Sequence, residues 1–466
     1  VAIGALLLSG LLGSLAEAWV LGTEREAYYR HEWVELIAAE GDTPTAGARP
    51  DELDATVWRH GEPVVSVGNL KAVPLRHDGE GRWRGRWPIP FNPPLGEYRA
   101  RIAVPDAAGG TRTVETPFTV RARTPASIPP GFSVVTDEGG RHGPHATPGL
   151  APDEPKSWEN IIRWTSFMGA DALWQAVGQT HIWGKKREDR FPWPAGHMRW
   201  ARRMGKAAHE AGFEYGAYII AFLVIGDKPG LTGYTFTLGY DQQRKALHPL
   251  RYVSLGCEAR IRDIIALLKR FARADEIDYL GLDYMRTDVG GYEFADAFVR
   301  DMVIPVPDDW ETLDDEARGC WLAERIEIER DADTRLRWQW WRAHKVAGVI
   351  ERITREVKTD KPLWVFSLGW KTGHQHGQDI AMMVDAGLGF HGPMFYSITR
   401  EDYPHMLEDW ARYLRRSRHA IVVGEPVDWN LFDRTLDPPG PQEHYDRQVA
   451  ALEALAPEAA AAGMFW

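Results

Sequence analysis

The feature that most restricts the fold is a regular alternation of short apolar runs with long amphipathic helical patterns beyond residue 131. Eight runs are predicted as strands: FSVVTDE, DALWQAVG, YGAYIIAF, YLGLDYMR, LWVFSLGW, LGFHGPMFYS, AIVVGEPVDW and GMFW. Helical patterns such as EARIRDIIALLKRFARA follow most of them. Repeated strand-helix units of this kind predict an α/β TIM barrel, (β/α)8, over residues 132–466.

A different pattern precedes the barrel. Residues 23–122 contain short alternating segments broken by Gly, Pro and Asp, as in an antiparallel all-β sandwich. In Tyr98 to Ile102, apolar residues alternate with two arginines, so one face is expected to pack and the other to meet water. The pattern G-x-W-x-G-x-W-x-I-P, followed by P-L-G-E-Y and F-T-V, resembles the immunoglobulin-like modules of bacterial extracellular enzymes. Residues 123–131 are Pro-rich and predict a linker of limited flexibility.

Residues 1–22 begin with an apolar stretch that is uncharged until Glu17 and contains the small-x-small triplet Ala16-Glu17-Ala18 near its end. This pattern is typical of a signal peptide and its cleavage site, with an uncleaved N-terminal anchor or a buried helix as alternatives. We therefore expect a secreted, periplasmic or cell-envelope protein that could associate with a membrane or envelope through its N-terminus.

Charge and cysteine content narrow the class of partner. The net charge is -11 with a pI near 5.8, which disfavours nucleic acid because phosphate binding needs a basic face. A neutral substrate fits this charge better. Cys257 and Cys320 show no CxxC spacing and are expected to be free thiols. No cofactor is predicted.

Asp283 is the principal candidate for chemistry, because it ends the apolar run of the fourth predicted strand. Alternation places it on the face shared by Tyr279 and Gly281. Burying an unpaired carboxylate costs several kcal/mol, and reactive groups of such barrels lie at the carboxyl ends of the strands. The alternative is a structural ion pair with Arg286.

Polar and aromatic residues at other predicted strand ends strengthen a ligand-binding interpretation. Flat rings stack on the apolar faces of pyranoses. The predicted substrate-binding residues are Asp137, Trp174, Gln175, Arg286, Asp288, Trp370, Lys371, His391, Tyr396, Asp428 and Trp429. Trp183 and Trp193 are further candidate stacking rings, whereas Trp338, Trp340 and Trp341 lie in a helical pattern and are expected to be buried.

The segments HEAGFEYGAYI, IDYLGLDYMR and WRAHKVAGVIERI resemble glycoside hydrolase barrels. The resemblance is to the α-galactosidase and α-fucosidase type and to bacterial proteins with an Asp-Tyr-x-Arg fourth strand. It implies that Asp283 is the nucleophile and that a carbohydrate is the substrate. In α-galactosidases the general acid follows strand six, where this chain has no carboxylate before Glu401.

A chemical argument therefore selects Glu425, at the end of the seventh predicted strand, as the general acid. Glycoside cleavage needs one carboxyl to protonate the leaving oxygen and another to attack or to activate water. Glu425 follows a run of buried valines, and desolvation raises the pKa of a carboxyl. A salt bridge with a loop arginine is the alternative role, and Asp137, Asp288 and Asp428 are alternative acids.

Two long insertions, 223–256 and 287–335, follow the third and fourth predicted strands and are candidate lids or subsite walls.

Two other functions remain open. The first is a metal-dependent hydrolase or deacetylase acting on carbohydrate, in which histidines and an aspartate form the metal site. Its candidate ligands are His374 and His376 in H-x-H spacing, His142, His145, His391 and Asp137. The second is a non-catalytic carbohydrate-binding envelope protein.

Overall fold

The computed structural model describes residues 19–40, 51–105, 110–126, 128–137, 147–182, 195–226, 233–395, 399–417, 419–424 and 440–466. The chain forms two compact units, Val1–Arg121 and Ala122–Trp466. No helix in the described part of the chain combines the length and apolar character that a bilayer crossing demands. The predicted signal peptide or anchor lies almost entirely outside the described residues.

The first unit is all-β. Its strands are β1 (Trp19–Thr23), β2 (Ala27–Tyr29), β3 (Trp33–Glu40), β4 (Glu52–Arg59), β5 (Glu62–Pro63), β6 (Val73–His77), β7 (Arg82–Pro88), β8 (Gly96–Pro105) and β9 (Thr111–Arg121). They form one hydrogen-bonded sheet in the order β1-β3-β7-β6-β4-β8-β9-β2, with β5 paired to β4. Every pairing is antiparallel except that of β2 with β9.

The core of this unit follows the alternation expected from the sequence. Along β8, Tyr98, Ala100 and Ile102 are buried, whereas Arg99 and Arg101 lie on the other face and both bind Glu115. The Tyr98 ring stacks against Phe118, with ring centroids 5.6 Å apart. The all-β prediction is thus confirmed, and the immunoglobulin-like assignment stays a prediction.

The second unit contains a closed parallel barrel. Its strands are β10 (Ser133–Asp137), β11 (Ala172–Ile182), β12 (Glu214–Gly226), β15 (Tyr279–Asp283), β16 (Leu363–Leu368), β17 (Phe390–Met394), β18 (Ala420–Gly424) and β19 (Ala461–Phe465). Each strand pairs in parallel with the next, and β19 pairs with β10 to close the ring. The predicted eight-stranded barrel is confirmed.

Helices cover the outside of the barrel or belong to its loops. They are α1 (Glu159–Phe167), α2 (Ala195–Ala211), α3 (Glu258–Ala272), α4 (Ala295–Met302), α5 (Asp315–Ala323), α6 (Ala332–Val357), α7 (Ile380–Asp385), α8 (Asp402–Ser417) and α9 (Pro441–Leu455). Trp338, Trp340 and Trp341 of α6 are buried, as predicted.

Aromatic rings fill the barrel interior. The Trp174 and Trp364 rings stack with centroids 4.0 Å apart, and Tyr218, Tyr279 and other rings surround them. Space for these rings requires glycine on the neighbouring strand: a Cβ at Gly281 would lie 2.4 Å from both the Trp364 ring and the Tyr218 side chain. The interior is therefore a packed core rather than a channel.

The two predicted insertions form ordered substructures where they are described. The first contains a hairpin of β13 (Phe236–Asp241) and β14 (Ala246–Val253), and Tyr252 of β14 pairs with Leu223 of β12. The second contains α4, α5 and a π-helical turn, Glu324–Ile328, before α6 begins.

Candidate functional site

Asp283 is the last residue of β15, where it pairs in register with Ile220 of β12. Tyr279, on the same strand face, lies in the barrel core, so alternation points the Asp283 side chain toward the barrel interior. The side chain is buried, and its Oδ1 accepts a hydrogen bond of 2.6 Å from the backbone N–H of Tyr284. Burial raises the pKa of Asp283 to about 6, although the positive charge of Arg286 opposes the rise.

The chain turns sharply after Asp283. Tyr284 and Asp288 both have positive φ, at 50° and 58°, a left-handed conformation that is costly for side chains of this size. Strained residues of this kind are concentrated at functional sites. The turn places the Arg286 guanidinium 4.4 Å from the centre of the Tyr284 ring.

Arg286 is a buried cation beside Asp283. Its Nε and Nη1 have no hydrogen-bond partner among the described residues. Tyr252 of β14 also lies near this guanidinium: burial raises the pKa of Tyr252, and the charge of Arg286 opposes that rise. The first insertion thus contributes a phenol to the surroundings of Asp283 and Arg286.

Asp288 and His376 form a second acid-base pair at this end of the barrel. Asp288 Oδ1 lies 3.2 Å from His376 Nδ1, and this hydrogen bond lowers the pKa of Asp288. An aspartate that is held ionised is a poor proton donor and a good electrostatic or basic group.

Arg342 of α6 ties together the loops after β15 and β16. Its Nη1 donates to the carbonyl oxygens of Asp288 (2.6 Å) and Gly290 (3.2 Å), and its Nη2 donates to the carbonyl oxygen of Gln375 (2.8 Å). Burial lowers the pKa of Arg342 to about 10, so the side chain stays cationic at neutral pH.

Gln378 joins the same two loops closer to the sheet. Its Nε2 donates to the carbonyl oxygens of Met285 (3.3 Å) and Phe366 (3.2 Å), and its Oε1 accepts from the Leu368 N–H (3.0 Å). The position of the turn after Asp283 therefore depends on two buried side chains from elsewhere in the chain, Arg342 and Gln378.

The structure places Trp174 inside the barrel and not at the barrel mouth, where it was predicted. The β11 strand continues to Ile182 through register shifts after Ala176 and Gly178, so Trp174 is the third residue of eleven. Its ring belongs to the interior core and is fully buried. The predicted contact of this ring with a sugar is corrected to a packing role.

Gln175 and Asp137 lie on the outer face of the sheet. Gln175 Nε2 donates to Asp137 Oδ2 (2.8 Å), and its Oε1 accepts from the Tyr215 hydroxyl and from Trp200 Nε1 of α2, each at 3.0 Å. Since Trp174 faces the interior, its neighbour Gln175 must face the helices. The substrate-binding prediction for the buried Gln175 is corrected to a bridge between sheet and helix, whereas the role of the half-buried Asp137 stays a prediction.

His391 also faces outward. It follows Phe390, which lies in the interior core, and its Nε2 lies 3.2 Å from the Ile380 carbonyl oxygen of α7. Burial lowers the pKa of His391 to about 4, so the imidazole is neutral near pH 7. Its predicted role in substrate binding is corrected to packing beneath α7.

The two histidines of the H-x-H sequence have separate carboxylate partners. His374 Nε2 lies 2.7 Å from Asp379 Oδ2, which also accepts from the Tyr413 hydroxyl, whereas His376 contacts Asp288. Burial alone would raise the pKa of Asp379, but the hydrogen bond from His374 lowers it. The described carboxylate partners of the two histidines are therefore different residues.

Several predicted site residues fall outside what the structure describes. Glu425, Asp428, Trp429 and Tyr396 lie outside the described residues, as do Trp183, Trp193, His142 and His145. Trp370 and Lys371 begin the 3-10 helix Trp370–His376, and their side chains are outside the described set. Their proposed roles stay predictions.

Sequence reasoning missed Tyr252, Arg342 and Gln378. Tyr252 lies in an insertion that was recognised only as a possible wall of the cleft. Arg342 offered a clearer signal, because it lies among Trp338, Trp340 and Trp341 in a helix that was expected to be buried. A cation within such a segment needs partners, and here they are loop carbonyls.

No protein-family model and no curated protein matches the chain. In fold, the chain resembles solved structures of glycoside hydrolases. The glycoside hydrolase domain of PgaB (BpsB) from Bordetella bronchiseptica has a TM-score of 0.47 and 14% identity, and the match covers 72% of this chain and 94% of that one. A β-galactosidase from Marinomonas ef1 has a TM-score of 0.44 and 11% identity, with 72% and 53% covered. A GH5 xyloglucanase from Bacteroides ovatus has a TM-score of 0.34 and 11% identity, with 96% and 93% covered.

Proposed function

We propose that this protein is a glycoside hydrolase that cleaves a glycosidic bond of an oligo- or polysaccharide and uses Asp283 as a reacting carboxylate. The observation that carries the proposal is the state of that side chain. It is buried at the carboxyl end of a barrel strand, its pKa is raised to about 6, and no described side chain forms an ion pair with it. A carboxylate that served only to tie a loop would be paired directly with a cation.

The chemistry follows from this state. A carboxyl group with a pKa near 6 is mostly ionised at pH 7, and an ionised carboxylate without a direct ion pair can attack an anomeric carbon or activate water. The charge of Arg286 opposes the effect of burial and so favours the ionised form of Asp283. Glu425, one residue after β18 ends, is the proposed proton donor.

The separation of the two carboxyl groups would set the stereochemistry: about 5 to 5.5 Å gives retention, and roughly 6.5 to 9.5 Å gives inversion. The proposal includes membership of the α-galactosidase and α-fucosidase type, which rests on the resemblance of the segments HEAGFEYGAYI, IDYLGLDYMR and WRAHKVAGVIERI. The chain departs from α-galactosidases after strand six, where it has no carboxylate before Glu401. It also includes a secreted, periplasmic or envelope location, which rests on the pattern of residues 1–22.

Turnover by Asp283→Asn tests the proposed function. We expect the rate on a panel of glycans and aryl glycosides to fall at least about a thousand-fold, because the amide cannot act as a nucleophile or base. Asp153→Asn, at an exposed loop position, is the matched control and should keep wild-type turnover. Wild-type rates in Asp283→Asn would exclude the assignment, and glycan binding without turnover in both proteins would favour the non-catalytic carbohydrate-binding alternative.

A further inference from the structure

A cavity of about 450 Å³ lies beside the second insertion of the barrel unit. It is bounded by Gln242 of the β13–β14 hairpin loop, by the π-helical turn Glu324–Ile328 and by the first turns of α6. Its volume is within the range of small-ligand sites. Single π-helical turns of this kind are also frequent at functional sites.

The charge of this cavity is opposite to that of the whole chain. Arg330, Arg335 and Arg342 line it, against one carboxylate, Glu327. Both oxygens of Glu327 already accept hydrogen bonds, from the Tyr292 hydroxyl at 2.6 Å and from Gln242 at 3.3 Å. Among the residues that line the cavity, three guanidinium groups therefore stand against one carboxylate.

Two of these arginines are available to a ligand. Arg330 and Arg335 are exposed, and neither forms an ion pair with any described residue. Arg330 has a φ of 55°, an uncommon left-handed backbone conformation for a residue other than glycine. Guanidinium groups bind carboxylate and sulfate oxygens in two-pronged geometry.

The remaining wall is apolar. Tyr292 and Trp338 are buried behind it and stack on each other with centroids 5.9 Å apart, and Ile326 and the exposed Val289 provide apolar surface. Trp338 Nε1 and Arg342 Nε are buried and have no acceptor among the described residues. Apolar surface together with exposed guanidinium groups fits an oxygen-rich ring that carries a negative group.

The cavity is joined to the surroundings of Asp283 by direct contacts. Arg342 lines the cavity and also holds the carbonyl oxygens of Asp288 and Gln375. Asp288 in turn contacts His376. A ligand in the cavity would therefore contact the loop that follows the proposed catalytic strand.

We propose that this cavity is a subsite for an anionic sugar residue, one that carries a carboxylate or a sulfate ester, within the substrate of the proposed hydrolase. The inference rests on the proposed function for the identity of the substrate. It also revises the expectation of a neutral substrate, which came from the charge of the whole chain rather than from the charge of this cavity.

Calorimetric titration of the wild-type protein with three oligosaccharides tests the subsite: an oligogalacturonate, a sulfated galactan oligosaccharide and a neutral galactan oligosaccharide of equal length. We expect at least one anionic probe to bind about ten times more tightly than the neutral one and to weaken as salt rises. Which anionic probe prefers the cavity distinguishes a carboxylate from a sulfate ligand.

The double variant Arg330→Gln/Arg335→Gln should remove this preference and leave binding of the neutral probe unchanged. Arg355→Gln is the matched control, because it changes an exposed arginine of the same helix, and a rise of 1.5 Å per residue puts it about 30 Å from Arg335. Equal binding of all probes by the wild type, or equal loss in the control, would overturn the subsite. If the protein hydrolyses neutral glycans and binds anionic oligosaccharides no more tightly than neutral ones, the subsite is overturned and the hydrolase is not. If it binds anionic oligosaccharides through Arg330 and Arg335 but hydrolyses none of the glycans, the subsite is supported and the hydrolase is overturned.

Discussion

Burial of the Asp283 carboxylate should lower the free energy of unfolding at neutral pH. Its pKa rises from an ordinary value of 3.8 to about 6 on folding, so the folded protein holds a proton between these two pH values that the unfolded chain has lost. Stability therefore falls as pH rises from about 4 to about 6 and stays reduced above that range. Asp283→Asn removes this effect.

We expect Asp283→Asn to be more stable than the wild type at pH 7 by about 1 to 3 kcal/mol and equally stable near pH 4. Urea unfolding at both pH values measures the difference, and Asp153→Asn gives the baseline for loss of an exposed carboxylate. A variant that is less stable than the wild type at pH 7 would show that the carboxylate has a stabilising partner.

Arg286 should set the pH at which activity is lost in acid. Its charge lowers the pKa of Asp283 against the opposing effect of burial. Replacement by Met should therefore raise that pKa above about 6 and move the acid limb of kcat/KM to higher pH. Arg286→Lys retains the charge and should leave the limb close to its wild-type position; an unchanged limb in Arg286→Met would remove Arg286 from this role.

At the scale of the element, the ends of β15 and β16 are fixed by Gln378. Substitution of Gln378 by Leu leaves the Leu368 N–H and the carbonyl oxygens of Met285 and Phe366 without this partner. Unpaired buried backbone groups are expensive, so we expect a loss of about 2 to 4 kcal/mol in the free energy of unfolding. Denaturant unfolding measures this loss. The control is Gln442→Leu on the exposed face of α9, which should change the free energy of unfolding by less than about 0.5 kcal/mol. A Gln378→Leu protein as stable as the control would show that these bonds contribute little.

The elements were the most predictable part of this chain, and the direction of their side chains was the least. Apolar runs followed by amphipathic helical patterns predicted every barrel strand. The alternation of side chains along β15, counted from Tyr279, correctly placed Asp283 on the interior face. Trp174 was assigned to a strand end because register shifts, which extend β11 by four residues beyond the predicted run, leave no sign in the sequence. Gln175 and His391 were misplaced because a polar residue near a strand end can bind a ligand or cross-link sheet and helix equally well.

The site was less predictable because it is assembled from distant segments. Asp283 ends β15 and Arg286 lies three residues later. Tyr252, from the first insertion, lies near Arg286, whereas Arg342 of α6 and Gln378 after β16 bind backbone carbonyls of the same loop. Only tertiary packing decides which loop carbonyl a buried arginine or glutamine will meet. Local patterns in the sequence contain no information on these distances.

At the scale of the whole molecule, the chain contains two hydrophobic cores with different construction. Strand β8 and its neighbours enclose one core within Val1–Arg121, and the aromatic interior of the barrel forms another within Ala122–Trp466. Each core is completed by residues of its own unit, so each unit should unfold as its own cooperative system. Scanning calorimetry of the full chain should therefore show two transitions.

A protein comprising residues 122–466 should reproduce one of these transitions at nearly the same temperature and keep the hydrolysis of small aryl glycosides. The reason is that Asp283, Arg286, Arg342 and Gln378 all find their partners within this unit. A single transition in the full chain, or loss of folding in the shorter protein, would show that the barrel depends on the β unit for its stability. Retained folding with lost activity on polysaccharide alone would instead indicate that the β unit contributes to substrate binding.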